Sequence, residues 1–255
     1  MKVNLNSDLG ESYGAWTMGD DPAMLSVVGS ANVACGFHGG DWLVMRNTVL
    51  EAKKNNVSIG AHPSYPDIQG FGRRAMNITG VEAEALMAYQ IGALQGIAAL
   101  AGHKVTHVKP HGAINNKACV DRALADALAR GSAGAGRDLI FLAPAGSALV
   151  AAGKAAGIPV AEEVFADRNY DDDGNLVPRG QANAMVHDPE EALQNVLRMV
   201  REQVIVSVTG KRIPAKVDSI CVHGDSDGAV AMARHIRSGL EAAQVRLVTL
   251  PEMLA

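Results

Sequence analysis

Short apolar runs alternate with helix-period segments along the whole chain, and that alternation most constrains the fold. Strand-like runs fall at residues 3–5, 31–35, 57–61, 105–108, 139–142, 158–161, 219–222 and 245–250, each with a polar or turn exit. The segments between them carry helix signals. In Thr79-Gly80-Val81-Glu82 the threonine and glutamate side chains can satisfy each other's free backbone N–H groups, so a helix is expected over 81–101, with Gly102 as its breaker. Asp188-Pro189-Glu190-Glu191 combines a capping carboxylate, a proline that has no N–H to lose, and two acids against the positive helix end. It predicts a helix reaching about residue 203. Further helices are expected over 42–54, 121–130, 147–156 and 228–243. An unbroken β-α-β-α order implies a parallel sheet, because parallel neighbours need a crossover. Seven or eight such units in 255 residues match a closed (β/α) barrel in size, and a doubly wound open sheet is the alternative. No repeat or linker interrupts the pattern, so a single domain over residues 1–255 is expected.

Composition narrows the class. The chain is 48% hydrophobic but only 4% aromatic, so Ala, Val, Leu, Ile and Met must fill the core, as in helix-covered parallel sheets. The net charge is -4 and no Lys/Arg cluster is long enough to follow a phosphate backbone, which argues against nucleic acid as a partner. No run approaches the roughly 18 apolar residues of a membrane span. Residues 1–6 enter a strand-like run without the apolar core of a signal peptide, and the odd, irregularly spaced Cys35, Cys119 and Cys221 suit a reducing compartment, so a cytoplasmic location is expected. There is no Gly-x4-Gly-Lys-[Ser/Thr] and no strand-linked Gly-x-Gly-x-x-Gly, so nothing announces a nucleotide site. The polar, irregular stretch 165–184 is too long for a simple connector and reads as a functional or a disordered loop.

Histidines and carboxylates recur at the strand exits: Asn6-Ser7-Asp8-Leu9-Gly10-Glu11, Cys35-Gly36-Phe37-His38-Gly39-Gly40-Asp41, Gly60-Ala61-His62-Pro63, Val108-Lys109-Pro110-His111-Gly112 and Cys221-Val222-His223-Gly224-Asp225. C-terminal strand ends share one face of a wound or closed α/β fold, so these segments can supply one pocket. Asp8, His38 and His62 can hold a divalent metal with positions left open, or act without metal as a general acid/base set. The ordinary alternative is a capping aspartate and two histidines bonded to loop backbone. Lys109 suits an anionic substrate or an oxyanion, with His111 moving a proton. His223 with Asp225 reads as a base and its orienting partner or as extra metal ligands, against the alternative that Asp225, Ser226 or Asp227 merely caps the helix that follows. Arg73 or Arg74 can fork onto a carboxylate or phosphate, and Glu162, Asp167 and Arg168, beyond the sixth strand, can reach the same face.

These segments, together with Ser64-Tyr65-Pro66-Asp67, Phe71-Gly72-Arg73 and Glu163-Val164-Phe165-Ala166-Asp167-Arg168, resemble the LamB/YcsF family, the A subunits of prokaryotic ATP-dependent 5-oxoprolinase. The resemblance runs from about residue 3 to 250. One departure is Ala113-Ile114-Asn115-Asn116, where relatives often have Ala-Leu-Tyr-Asn. The resemblance implies a TIM-like, seven-stranded (β/α) barrel of the type shared with metal-dependent polysaccharide deacetylases and glycoside hydrolases. It implies the reaction of 5-oxo-L-proline, ATP and water to L-glutamate, ADP and phosphate, with partner subunits B and C. Catalytic roles are expected for Asp8, His38, His62, Lys109, His111, His223 and Asp225, and substrate contacts for Asn6, Glu11, Arg73, Asp167 and Arg168. Fold-level analogy puts a possible metal on Asp8, His38 and His62. Two rival readings are a stand-alone metal-dependent deacetylase or amidohydrolase, and a non-catalytic subunit with the chemistry elsewhere.

Overall fold

The computed structural model describes residues 1–224 and 228–255; Asp225, Ser226 and Asp227 lie outside the described residues. In chain order the elements are β1 (Lys2–Leu9), α1 (Asp21–Leu25), β2 (Ser30–Ala34), α2 (Trp42–Lys54), β3 (Ser58–His62), α3 (Gly80–Leu100), β4 (Val105–Val108), α4 (Gly112–Val120), α5 (Arg122–Ala135), β5 (Ile140–Pro144), α6 (Ala148–Ala156), β6 (Val160–Phe165), α7 (Pro189–Glu202), β7 (Val204–Val206), β8 (Arg212–Pro214), β9 (Ser219–Cys221), α8 (Ala229–Ala242), β10 (Arg246–Val248) and α9 (Leu250–Leu254). Strands β1 to β6 and then β9 pair in parallel, and β9 pairs β1, closing a seven-stranded barrel. The expected eighth run is β10. It pairs only the start of β1, at Lys2, Val3 and Asn4, while β2 takes Asn6 to Leu9 further along.

Several local signals act as read. Both arms of the Thr79/Glu82 capping box are made, and Asp188 caps α7 through the Glu190 N–H. Other elements differ from expectation. The sixth strand runs Val160–Phe165 rather than 158–161, because two adjacent glutamates mask its strand character. Strands β7 and β8 form an antiparallel hairpin where no strands are expected, and residues after Lys109-Pro110-His111 form α4. Asp41 caps α2, accepting from the Leu43 and Val44 N–H groups.

Alternation with period two sorts each barrel strand. On β1, Val3, Leu5 and Leu9 join the apolar shell under the helices, while Asn4, Asn6 and Asp8 face the barrel axis with Ser30 and Asn32 of β2. The interior is therefore polar where many such barrels are filled by branched apolar residues. Its amides form a continuous chain of bonds. His107 Nε2 donates to Asn32 Oδ1 at 3.1 Å, and Asn32 Nδ2 donates to Asn6 Oδ1 and to Asp8 Oδ1. Asn6 Nδ2 donates to Glu163 and Ser219, and Ser219 donates to Asn4. A small apolar plug of Ile140, Leu142, Ala161 and Leu250 sits beside this column. Every buried amide needs such partners, since an unmade bond costs about 1–3 kcal/mol. Room for the His107 ring depends on Gly60: a Cβ there would lie 2.1 Å from His107 Cδ2. Gly60→Ala is expected to lose about 1–3 kcal/mol by overpacking, read as a lower urea midpoint at unchanged m-value.

Candidate active site

The strand ends open into a cavity of about 1210 Å³ lined by Asp8, Glu11, His62, Arg73, Lys109, His111 and His223 among others. Three of the histidines and Glu11 form one cluster. His62 Nδ1 donates to the Lys109 carbonyl at 2.7 Å, and His111 Nε2 donates to the Phe71 carbonyl at 2.9 Å. Each carbonyl can only accept, so it holds the proton on that nitrogen. The other nitrogens, His62 Nε2 and His111 Nδ1, then face each other 3.0 Å apart. Two bare lone pairs at that distance repel, so the site is built for a cation between them, a proton or a metal ion. His38 stacks on His111 with ring centroids 3.7 Å apart, its Nε2 is 2.9 Å from Glu11 Oε1, and its Nδ1 is buried without a partner. Glu11, His38, His62 and His111 each offer one donor atom, all within 4.8 Å of one another. That is a donor set suited to a divalent ion. Burial, followed by neighbouring histidines, pushes His38 and His111 well below the usual imidazole value, so both are neutral and able to donate lone pairs.

The loop after β3 seals this cluster. Phe71 sits at φ +52, and its ring stands nearly perpendicular to those of His38 and His111. Gly72 at φ +62 lies so close that a Cβ would meet Ser64, His111 and His38. A strained non-glycine residue is held in this way where the surroundings over-determine it. Of the two arginines, Arg74 pairs with Asp67, while the exposed Arg73 lies 4.9 Å over the Phe71 ring and lines the cavity.

Asp8 sits on the other side of His62, with Oδ2 3.3 Å from His62 Nε2. Its Oδ1 accepts from Lys109 Nζ at 2.9 Å. Lys109, only 3% exposed, also reaches Glu163 at 3.0 Å and Cys221 Sγ at 3.2 Å. Burial pushes Asp8 up, but His62 and Lys109 outweigh it and hold the carboxyl well below its usual range. Burial likewise disfavours the Lys109 ammonium, yet Asp8, Cys221 and Glu163 raise it well above the ordinary value. Glu163 moves the other way: burial, only partly offset by Lys109, raises it. Lys109 is thus a cation shared by two buried carboxylates, Asp8 beside it and Glu163 beneath it.

His223 forms a dyad with Asp167, Nδ1 to Oδ2 at 2.7 Å, and stacks on Phe165. Burial lowers His223, but Asp167 more than offsets it and the net shift is upward. Burial raises Asp167, while His223 pulls it below its ordinary value. The raised histidine stabilises fully below its ordinary value of 6.5, and that stability is lost as pH rises through the higher folded value. The depressed aspartate stabilises above its ordinary value of 3.8, and that stability is lost as pH falls through the lower folded one. The dyad is therefore worth most between about pH 4 and 6.5. Asp167→Asn is expected to move the His223 titration to lower pH in proton NMR. An unchanged midpoint would mean the dyad is not coupled.

Two expected substrate contacts, Asn6 and Arg168, make hydrogen bonds within the protein, and of these Arg168 also lines the cavity. Asn6 is fully buried one layer below the cavity and holds Glu163. Arg168 donates to the Val177 and Ala184 carbonyls, tying down the long loop that also carries Asp167. His107 and Asn32 support the site without having stood out in the sequence, and Glu163 is visible there only as the start of a quoted segment, with no role attached. Their signal is Asn4, Asn6 and Asp8, a polar residue at every second position of a strand that otherwise reads as apolar.

A parallel barrel with histidines, carboxylates and a buried lysine at its C-terminal strand ends defines the class: a (β/α) barrel whose pocket carries a buried cluster of residues that could hold a metal ion. The LamB/YcsF family model matches residues 3–255, and the chain belongs to that family. The chain is 57% identical over 242 residues to the 5-oxoprolinase A subunit of Rhodopseudomonas palustris (strain BisB5), covering 94% of this chain and 95% of that one. It is 54% identical over 253 residues to the 5-oxoprolinase A subunit of Azoarcus sp. (strain BH72), covering 99% of each. The crystal structure of a lactam utilization protein from Thermus thermophilus superposes with a TM-score of 0.92 at 40% identity, covering 98% of this chain and all of that one. Among the described residues no helix is long and apolar enough to cross a membrane.

Proposed function

We propose that this chain is the A component of an ATP-dependent 5-oxoprolinase, a cytoplasmic hydrolase that opens 5-oxo-L-proline to L-glutamate together with B and C subunits. The observation that carries the reading is the end-to-end match to proteins of that name. The chemistry of the pocket fits it. A five-membered lactam is a poor electrophile because its nitrogen feeds the carbonyl. Transfer of the terminal phosphoryl group of ATP to the lactam oxygen removes that resonance. Water then adds to the activated carbon, and the C–N bond breaks as the ring nitrogen takes a proton. The resulting glutamyl phosphate hydrolyses to glutamate and phosphate.

In this reading Asp8 and His62, 3.3 Å apart, take up the proton of the attacking water. His223, whose protonated form is favoured by Asp167, supplies one to the ring nitrogen. Lys109 sets a positive potential at the pocket floor, and Arg73 meets the substrate carboxylate. Glu11, His38, His62 and His111 are the residues that would hold a divalent cation, which when bound lowers the pKa of water and polarises a carbonyl. The same donor cluster favours a second reading, cation-dependent hydrolysis of a simple amide without ATP.

The test is 5-oxoproline-dependent formation of glutamate and ADP by this chain alone and with its B and C partners. Equal amounts of both products from the mixture, and none from the chain alone, are expected. No turnover in the mixture with all three proteins folded, combined with ATP-independent cleavage of an N-acetylated sugar or simple amide, would replace the first reading with the second.

A further inference from the structure

The cavity is larger than a five-membered lactam acid requires. Its volume of about 1210 Å³ exceeds the roughly 300–1,000 Å³ that usually encloses drug-sized ligands. The histidine cluster occupies the ends of β1 to β4. The connections after β4 and β5 line the cavity with a different chemistry, from Asn115 on α4 and from Pro144 to Ser147 before α6.

Helix α6, nine residues long, starts at that wall with Ser147 as its N-cap residue. The serine has the extended backbone of a cap, yet its side chain makes no cap bond, and the first turn carries no acidic residue. Its Oγ is buried and has no nitrogen or oxygen partner. The Cys119 thiol beside it is a weak substitute, kept protonated by burial. The positive end of α6 thus lacks the acceptor that such an end normally receives. Glu162 takes only the Gly146 N–H, at 3.3 Å. A second, independent feature lies in the same cavity. Asn115 is 6% exposed, and its amide, whose Nδ2 can donate to an oxyanion, makes no hydrogen bond to any described residue. Arg179 and Lys117 also line the cavity, and neither has a carboxylate within ion-pair distance among the described residues. The acids on this rim, Asp171 and Asp173, are in the loop with Arg179, and Asp171 already accepts from the Asp173 and Asn175 N–H groups.

An open helix N-terminus, an unused amide and cations without carboxylate partners are together the recognition elements for a compact oxyanion. We propose that the N-terminus of α6, with Ser147 and Asn115 and backed by Arg179 and Lys117, is a phosphate subsite at the far side of the catalytic cavity. It takes a phosphoryl group, either as inorganic phosphate or as the terminal phosphate of a nucleotide. Its place in turnover rests on the 5-oxoprolinase reading: it would hold the phosphate of the activated substrate while the histidine side handles the ring.

The test is calorimetric titration of the isolated chain with inorganic phosphate and, separately, with ADP. Ser147→Asp is the decisive variant, since aspartate is a good N-cap and should keep α6 at least as stable while filling the subsite with its own carboxylate. At least about a tenfold loss of phosphate affinity is expected in Ser147→Asp and a smaller loss in Arg179→Ala, with no change in Gln194→Glu on the exposed face of α7. ADP that competes with phosphate identifies a nucleotide as the source, and ADP that does not identifies free or substrate-borne phosphate. Failure of the native chain to bind phosphate at millimolar concentration, or binding unaffected by Ser147→Asp, overturns the subsite. Because the titration needs neither partner nor turnover, the subsite can stand if the coupled assay fails, and fall if it succeeds.

Discussion

Lys109→Met is expected to destabilise the chain by about 3–5 kcal/mol, because it strands Asp8 and Glu163 in a buried site without their shared cation. Both carboxylates contact the ammonium directly, and Lys109 is nearly inaccessible to the water that would replace it. Urea unfolding gives the number. The sharper measurement is a double-mutant cycle. Adding Glu163→Gln to Lys109→Met should recover part of the loss, since it removes one stranded acid, whereas Glu163→Gln alone leaves the Asp8–Lys109 pair intact. A loss under about 1 kcal/mol for Lys109→Met would show that the pair behaves as a solvated surface ion pair, contrary to its burial.

The second large effect is on turnover. On the proposed 5-oxoprolinase reading, His62→Ala is expected to lower coupled turnover by about 10²- to 10⁴-fold, the range for loss of a positioned acid or base. His62 is the hinge of the site: one nitrogen is fixed by the Lys109 carbonyl, and the other faces both Asp8 and His111. Divalent-cation binding to the isolated chain, followed calorimetrically, should weaken in His62→Ala and in His111→Ala. The partner subunits should still bind His62→Ala, as the ring is buried within the barrel mouth. Full turnover by a folded His62→Ala would make this chain a binding or regulatory component with the chemistry elsewhere.

Much of the site is readable without coordinates. The strand exits that carry Asp8, His38, His62, Lys109, His111 and His223 are each visible as a polar stop after an apolar run. The structure brings them to one mouth, with His38 stacked behind His111. The helix caps at Thr79 and Asp188 are legible because a cap is a matter of three or four adjacent residues. The same locality misleads at Asp41, which stands in a polar strand exit like the others but caps α2. It also misleads at the sixth strand, where Glu162 and Glu163 read as a strand exit although Glu163 lies inside the barrel. Asp167, expected to meet substrate, orients His223.

The sequence by itself determined the alternation of strand and helix, the parallel sheet that follows from it, and the face on which polar strand ends must gather. These depend on periodicity and on short-range turn and cap chemistry. Which residues become partners was decided only by the tertiary structure. Lys109 bonds Asp8 across 101 residues, and Asn6 bonds Glu163 across 157. Such pairs are set by strand register and by closure of β9 onto β1, which fix how far up the barrel each side chain stands. A period-two pattern tells which way a side chain points, but it carries no information about the side chain it will meet there.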